Sequence, residues 1–154
     1  MLILPQSVYD QLRRHGEFAY PEECCGVLVG TFGDGMKIVR RAVATRNASL
    51  SPNKHYAIDF HELISVIREA RVAGYEVVGF YHSHPNHPAL WSQTDFAEAH
   101  WIGCSYLITE VVGGVAETTN AFCLAGCIEE DKRFEAEEIV IADRTAKGEG
   151  EDKL

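Results

Sequence analysis

No stretch of this 154-residue chain approaches the roughly 20 consecutive apolar residues of a membrane-spanning helix. Nor does Met1-Leu2-Ile3-Leu4-Pro5 carry the basic region and cleavage site of a secretory leader. These absences predict a cytoplasmic protein with no membrane partner. Basic residues are scarce: 14 lysines and arginines face 23 aspartates and glutamates, for a formal net charge of −9. Phosphate binding needs basic patches, so nucleic acid is not an expected partner. The cysteines are five, an odd number, and no two are spaced Cys-x-x-Cys, which argues against a disulfide framework or a zinc knuckle. No internal repeat or second domain is evident. With 46% hydrophobic residues, the chain suits one domain with a sizeable core.

What the chain does contain is concentrated between residues 82 and 95. His82 and His84 stand one residue apart at the end of the apolar run Tyr75-Glu76-Val77-Val78-Gly79-Phe80-Tyr81. That run, bounded by Gly74 and Pro85, reads as a central strand apolar on both faces. Alternation along a strand projects both imidazoles to one side. Pro85 cannot donate to the ladder and ends the strand. A short loop then leads to Ser92, which opens an amphipathic helix predicted over Gln93 to Ile102, with Asp95 in its first turn facing back toward the histidines. Two histidines and a carboxylate can hold zinc with a fourth position left for water, the usual design of a catalytic site. Ser92-x-x-Asp95 reads equally as a helix capping box, and Asp59-x-x-Glu62 repeats that pattern before another helix. His-x-His alone is often a pair of satisfied polar residues. The combination favours a metal site, because imidazoles left unpaired inside an apolar strand end cost about 1–3 kcal/mol each.

His82-x-His84, seven residues, Ser92, two residues and Asp95 resembles the signature of the JAMM (MPN+) zinc metalloproteases. The upstream segment Pro21-Glu22-Glu23-Cys24-Cys25-Gly26-Val27-Leu28-Val29-Gly30 matches the family's glutamate motif, with Glu23 in the catalytic place. Asn47, Ser51-Pro52 and Tyr56-Ala57-Ile58-Asp59 extend the match, so the resemblance runs from about Leu2 to Ile141. It implies an α/β fold: a single JAMM/MPN-like (cytidine-deaminase-like) domain, with a mixed β-sheet flanked by helices, over 1–142. It also implies one Zn2+ per chain on His82, His84 and Asp95, with Glu23 as general base and Ser92 stabilising the oxyanion. By local reading alone, Glu22 competes with Glu23, and either acid could be an exposed residue before a strand. Trp91 replaces the proline that many relatives carry before the serine; it is expected to rim the cleft or to pack beside the loop. The chain is close to the minimal domain and is similar to short prokaryotic members. Those act on small β-grasp ubiquitin-like or sulfur-carrier proteins with a Gly-Gly tail. Hydrolysis of a peptide or isopeptide bond at the carrier's terminal glycine is therefore implied. A zinc hydrolase of small amides and a non-catalytic scaffold are the alternatives, and a homodimer is left open.

The remaining residues take plainer readings. Cys25 with His82 or His84 is an alternative thiol site, whereas Cys123 and Cys127 fall on one face of a predicted strand and suggest core packing. His15, His55, His61 and His100 read as surface or packing residues, and His87 as a loop residue within reach of substrate. The elements expected are a short edge strand over Leu2 to Leu4 and a helix from Gln6 to His15 closed by Gly16. A hairpin follows from Cys25 to Arg46, then a strand over His55 to Ile58 and a helix from Phe60 to Ala73. Strands over Ser105 to Val112 and Asn120 to Glu129 form a second hairpin through Gly113-Gly114, and Phe134 to Ile141 closes the domain. Residues 143–154 are predicted to be a disordered polar tail.

Overall fold

A computed structural model describes residues 1–142; the predicted tail lies outside them. Eight strands form one mixed sheet in the order β7-β6-β5-β4-β2-β3-β1-β8. They are β1 (Leu2–Pro5), β2 (Cys25–Gly33), β3 (Met36–Thr45), β4 (Glu76–Pro85), β5 (Ser105–Val112), β6 (Val115–Ala125), β7 (Arg133–Glu137) and β8 (Ile139–Ala142). Only Glu138 separates β7 from β8, yet the two lie at opposite ends of that order, so the sheet curls back on itself. A buried ion pair spans the curl: Lys37 Nζ on β3 donates to Glu137 Oε2 on β7 at 2.8 Å. Helices α1 (Gln6–Ala19), α2 (Phe60–Val72) and α3 (Gln93–Glu98) cover the sheet. No helix among the described residues is long and apolar enough to cross a membrane.

β4 lies in the middle of the sheet, antiparallel to β2 and parallel to β5, and is buried from Val77 to Pro85. The β2–β4 register slips where Leu28 faces Gly79 and Val29 faces Val77, leaving Val78 as the extra residue of a bulge. The slip resets the alternation of side chains. Val77 and Phe80 join the core under α2, whereas Val78 and Tyr81 join the core under α1. Beyond the bulge, His82 and His84 therefore share the face of Phe80, and Ser83 points the other way, where its Oγ accepts from Cys24 N at 2.8 Å.

Several expectations are corrected. β1 is not an edge strand: it is flanked by β3 and β8, both parallel to it. Gly16 does not close α1, which continues to Ala19; a Cβ there would meet Val111 Cγ2 at 3.1 Å and Ser83 Cβ at 3.2 Å, so this glycine permits close helix–sheet approach. His55 to Ile58 forms only a single bridge, Asn47 to Ile58. α3 stops at Glu98, four residues early, because Ala99 turns to an extended conformation. β6 begins at Val115 and ends at Ala125, so Cys127 leaves the strand and is exposed; its N–H donates to Asp131 in the following turn. The segment Phe134 to Ile141 is two strands, not one. The Asp59 cap on α2 and the hairpin through Gly113-Gly114 are as expected.

Gly26 shows how tightly the sheet is filled behind the site. A Cβ on Gly26 would collide with the ring and hydroxyl of Tyr81. That ring is buried and tied by its hydroxyl to His15 Nδ1 at 2.8 Å, so it cannot swing aside. Gly26→Ala is expected to destabilise the fold by about 1–3 kcal/mol through overpacking, read as a lower urea midpoint. An unchanged midpoint would show that the Tyr81 ring relaxes freely.

Candidate functional site

The site forms where β2 begins and β4 ends. Cys25 on β2 faces His82 on β4, so Glu23, two residues ahead of Cys25, arrives beside the histidines. His82 Nε2 and His84 Nε2 lie 3.1 Å apart. Asp95, in the first turn of α3, brings Oδ1 to 3.4 Å from His82 Nε2 and Oδ2 to 3.2 Å from His84 Nε2. One carboxylate oxygen of Glu23 lies within 4.8 Å of a ring nitrogen of each histidine; Glu23, His82 and His84 form a group that could hold a metal ion. The cleft above has a volume of about 420 Å³, with Glu23, His84, Ser92 and Asp95 in its lining; His82 is buried beneath.

Each imidazole is held. His84 Nδ1 lies 2.8 Å from the Pro88 carbonyl oxygen. A carbonyl only accepts, so Nδ1 carries a proton, and Nε2 is the ring atom turned toward Asp95 and the cleft, bare whenever the ring is neutral. The Tyr56 ring stacks on His82 at 4.3 Å between centroids and 22° between planes. Asp95 is fixed by the capping box: Ser92 N donates to Asp95 Oδ2 at 2.9 Å, and Asp95 N donates to Ser92 Oγ at 3.0 Å. The cap and site readings of Ser92-x-x-Asp95 thus coincide. Because Ser92 Oγ accepts from the helix, its O–H is left to donate into the cleft.

The electrostatics separate the two carboxylates. Burial pushes Asp95 up, but bonds with His82 and His84 outweigh it and hold the acid well below the usual carboxylate range. Burial pushes Glu23 up to about 7, with His84 pulling it down and Asp95 raising it further. No side-chain hydrogen bond among the described residues engages the Glu23 carboxylate. One acid is thus a fixed anion and the other a group able to exchange a proton near neutrality.

The thiol alternative finds no support here. Cys25 Sγ contacts Thr45 Oγ1 at 3.4 Å and donates to Arg46 O at 3.6 Å, and burial pushes its pKa up to about 11. A thiol so disfavoured as thiolate is a poor nucleophile. Glu22 is exposed, whereas Glu23 is buried, which separates the two competing acids. Trp91 takes both expected roles, lining the cleft while packing on Phe96 and Phe134 with centroids 5.6 and 5.5 Å away. His87 and Leu90 share that rim; Lys54 and His55 also line the cleft. His55 is braced between Ser49 Oγ and Glu98, each 2.7 Å away. Lys54, His55 and the His82-stacking role of Tyr56 were not assigned to the site from sequence, because only tertiary folding brings the loop after β3 over β4.

Known proteins resemble this chain in sequence and fold. Residues 5–124 match the family described as prokaryotic homologs of the JAB domain. A desampylase of Haloferax volcanii is 39% identical over 102 residues, covering 66% of this chain and 72% of that one. A probable TtuB-protein conjugate cleaving protease of Thermus thermophilus is 30% identical over 101 residues, 66% of this chain and 65% of its own. The CysO-cysteine peptidase of Mycobacterium tuberculosis is 30% identical over 107 residues, 66% and 71% of the respective chains. A solution structure from Desulfitobacterium hafniense matches with a TM-score of 0.80 at 27% identity, over 93% of this chain and 94% of that one. One from Salinibacter ruber gives 0.69 at 36%, over 92% of each. Glu23, His82, His84, Ser92 and Asp95 all lie inside the matched segment, and the chain belongs to the prokaryotic JAB-domain family.

Proposed function

We propose that this protein is a zinc-dependent peptidase that hydrolyses the bond after the terminal glycine of a small ubiquitin-like or sulfur-carrier protein. The observation that carries the metal assignment is the close approach of the two imidazoles to each other and of each to one oxygen of Asp95. A tetrahedral zinc site with bonds of about 2.0–2.1 Å spaces its donor atoms about 3.3–3.4 Å apart. The Nε2 atoms of His82 and His84 and the two oxygens of Asp95 stand at 3.1, 3.2 and 3.4 Å, within a few tenths of an ångström of that spacing. The donor chemistry fits as well, with two imidazoles and an ionised carboxylate. We assign His82, His84 and Asp95 as ligands and keep Glu23, the acid that exchanges a proton near neutrality, for catalysis.

A bound zinc ion would lower the pKa of its water toward 7 and polarise the scissile carbonyl. The chain's own groups do the rest. Glu23 accepts the proton of the attacking water and returns it to the departing amine. Ser92 donates its O–H to the oxygen of the tetrahedral carbon. Asp95 and the histidines are prevented from drifting by Ser92 N, Pro88 O and the Tyr56 ring. By name one relative cleaves TtuB–protein conjugates and another is a CysO–cysteine peptidase, which supports a protein conjugate or adduct as substrate; the Gly-Gly tail is what the family resemblance implies.

The test is direct. Zinc-loaded protein is incubated with β-grasp carriers ending in Gly-Gly-Cys and in Gly-Gly joined to a lysine side chain, and with N-acetylglycine amide. Intact-mass spectrometry should show loss of the group after the second glycine from a carrier. Cleavage of the small amide alone would establish the small-amide reading instead, and cleavage of none would support a scaffold. With a cleaved carrier, Ser92→Ala is expected to lower kcat about 100-fold while zinc stays bound. Full turnover by that variant would remove Ser92 from the mechanism.

A further inference from the structure

We propose that Asn47 is the positioning residue of the general base, clamping the main chain of Glu23 from the loop that follows β3; the proposal rests on the reading of Glu23 given above. The Glu23 side chain offers its own placement little help, since among the described residues no side-chain hydrogen bond engages its carboxylate. Its main chain is held on both sides instead. Glu23 N donates to Pro52 O at 2.8 Å, and Glu23 O accepts from Asn47 Nδ2 at 3.0 Å. Both contacts come from the stretch between Asn47 and Ile58, which β2 meets only through the fold.

Asn47 holds that stretch together with every group it has. Its Nδ2 also donates to His55 O at 3.0 Å, and its Oδ1 accepts from Ser49 N at 3.0 Å and Ala57 N at 3.1 Å. An asparagine amide has two donor hydrogens and two acceptor lone pairs, and here all four are engaged. The two ends of the amide do different work. The oxygen folds the loop onto itself, from Ser49 to Ala57. The nitrogen ties the folded loop to Glu23, and to the His55 carbonyl beside the cleft. Asparagine is thus the one residue of this size that supplies both at once. Aspartate has the same shape but no donor, and would set its charge against the carbonyl of Glu23.

The clamp matters because proton transfer tolerates little displacement: a shift of about 1 Å in a reacting group can cost 100-fold in rate. None of the Asn47 side-chain hydrogen bonds goes to His82, His84 or Asp95, so a loosened clamp should leave metal binding intact. It should also leave substrate affinity intact, since the loss falls on a step made only in the transition state.

The experiment compares Asn47→Asp, Asn47→Ala, Ser49→Ala and Glu23→Gln with the wild type, all zinc-loaded, on the carrier cleaved above. Asn47→Asp retains the acceptors for Ser49 and Ala57 and replaces the donors with a charged oxygen; Asn47→Ala removes every side-chain bond without adding charge. Both are expected to lose about 30–100-fold in kcat, with KM changed less than about twofold and one zinc per chain retained. Hydrogen–deuterium exchange should rise in the peptide spanning Glu23 and stay unchanged in β5, a readout that needs no substrate. Ser49→Ala, which breaks bonds inside the loop but none to Glu23, should keep wild-type kcat. Wild-type kcat in Asn47→Asp, or unaltered exchange at Glu23, would overturn the clamp while Glu23→Gln remains inactive. A loss of kcat in Ser49→Ala equal to that in the Asn47 variants would overturn it too, by making general loop order the cause. Activity surviving in Glu23→Gln would instead bring down the assignment of the base.

Discussion

Glu23→Gln is expected to bind one zinc per chain and to hold substrate normally while losing about 1,000-fold in kcat, within the 10²–10⁴ range of general acid–base catalysis. The substitution keeps the size of the side chain and removes only its ability to take a proton. Nothing in the fold resists it, because among the described residues no side-chain hydrogen bond depends on the carboxylate, and burial already favours a neutral group there. Stability should therefore hold or rise slightly. The pH dependence adds a second signature. Glu23 works as a base only when ionised, and with no metal ion beside it burial, above all, pushes its pKa up to about 7. A neighbouring zinc ion favours the ionised form, so the acid limb of kcat/KM is expected below about 7, rising with pH, and absent from the residual activity of Glu23→Gln. Metal content by atomic absorption, steady-state kinetics and a pH series check these together. A variant with full kcat, or one that loses its zinc, would move Glu23 out of the role of base.

How much of this was readable beforehand follows from sequence distance. His82, His84, Ser92 and Asp95 lie within fourteen consecutive residues, and their joint placement needs only two local rules. Alternation on a strand puts both imidazoles on one face, and a capping box turns an acid back over its own helix terminus. Both rules hold here, so the nearness of His82, His84 and Asp95 could be drawn from periodicity, whereas their reading as zinc ligands came from the family resemblance. Glu23 is different. It reaches the site because β2 pairs with β4, a long-range event that no local pattern specifies, and only family resemblance selected it over Glu22. The Asn47 clamp and the Tyr56 stack belong to the same class, since their value lies in contacts with residues 24 and 26 positions away.

The fold errors have equally particular causes. Gly16 looks like a helix stop until Ser83 and Val111 are packed against it. The strand predicted through Cys127 runs on because Gly126, at φ 120°, carries the turn while the flanking residues keep a plausible pattern. β7 and β8 look like one strand in the sequence because only Glu138 separates the two segments. Only closure of the sheet assigns them to opposite edges. By contrast, the bulge at Val78 changed nothing in the site prediction, because it lies upstream of both histidines and resets the alternation before the first of them.

Asp95→Asn is the variant expected to lose the most, and it separates the two roles that Ser92-x-x-Asp95 combines. As a cap, the side chain needs only an oxygen that accepts from Ser92 N, and an amide oxygen supplies it; Asp95 N still donates to Ser92 Oγ. α3 should therefore keep its first turn, with a change in stability under about 1 kcal/mol from the cap. As a ligand, the side chain must be anionic, and the amide is a far weaker donor to zinc. Two histidines alone do not make a catalytic zinc site, so the variant is expected to come out of dialysis with less than about a tenth of a zinc ion per chain and no detectable turnover. The apo proteins should also part company. In the wild type Asp95 is held well below the usual carboxylate range by the histidines, so its pairing stabilises the fold at neutral pH and is lost as pH falls through that depressed value. Asp95→Asn removes that contribution, so its apo stability should fall less on acidification than that of the wild type. Urea titrations of both apo proteins across the acid range, beside metal analysis of both after zinc loading, measure the two roles separately. Zinc retained at one per chain in Asp95→Asn would transfer the third ligand position to Glu23, the other carboxylate within reach of both imidazoles.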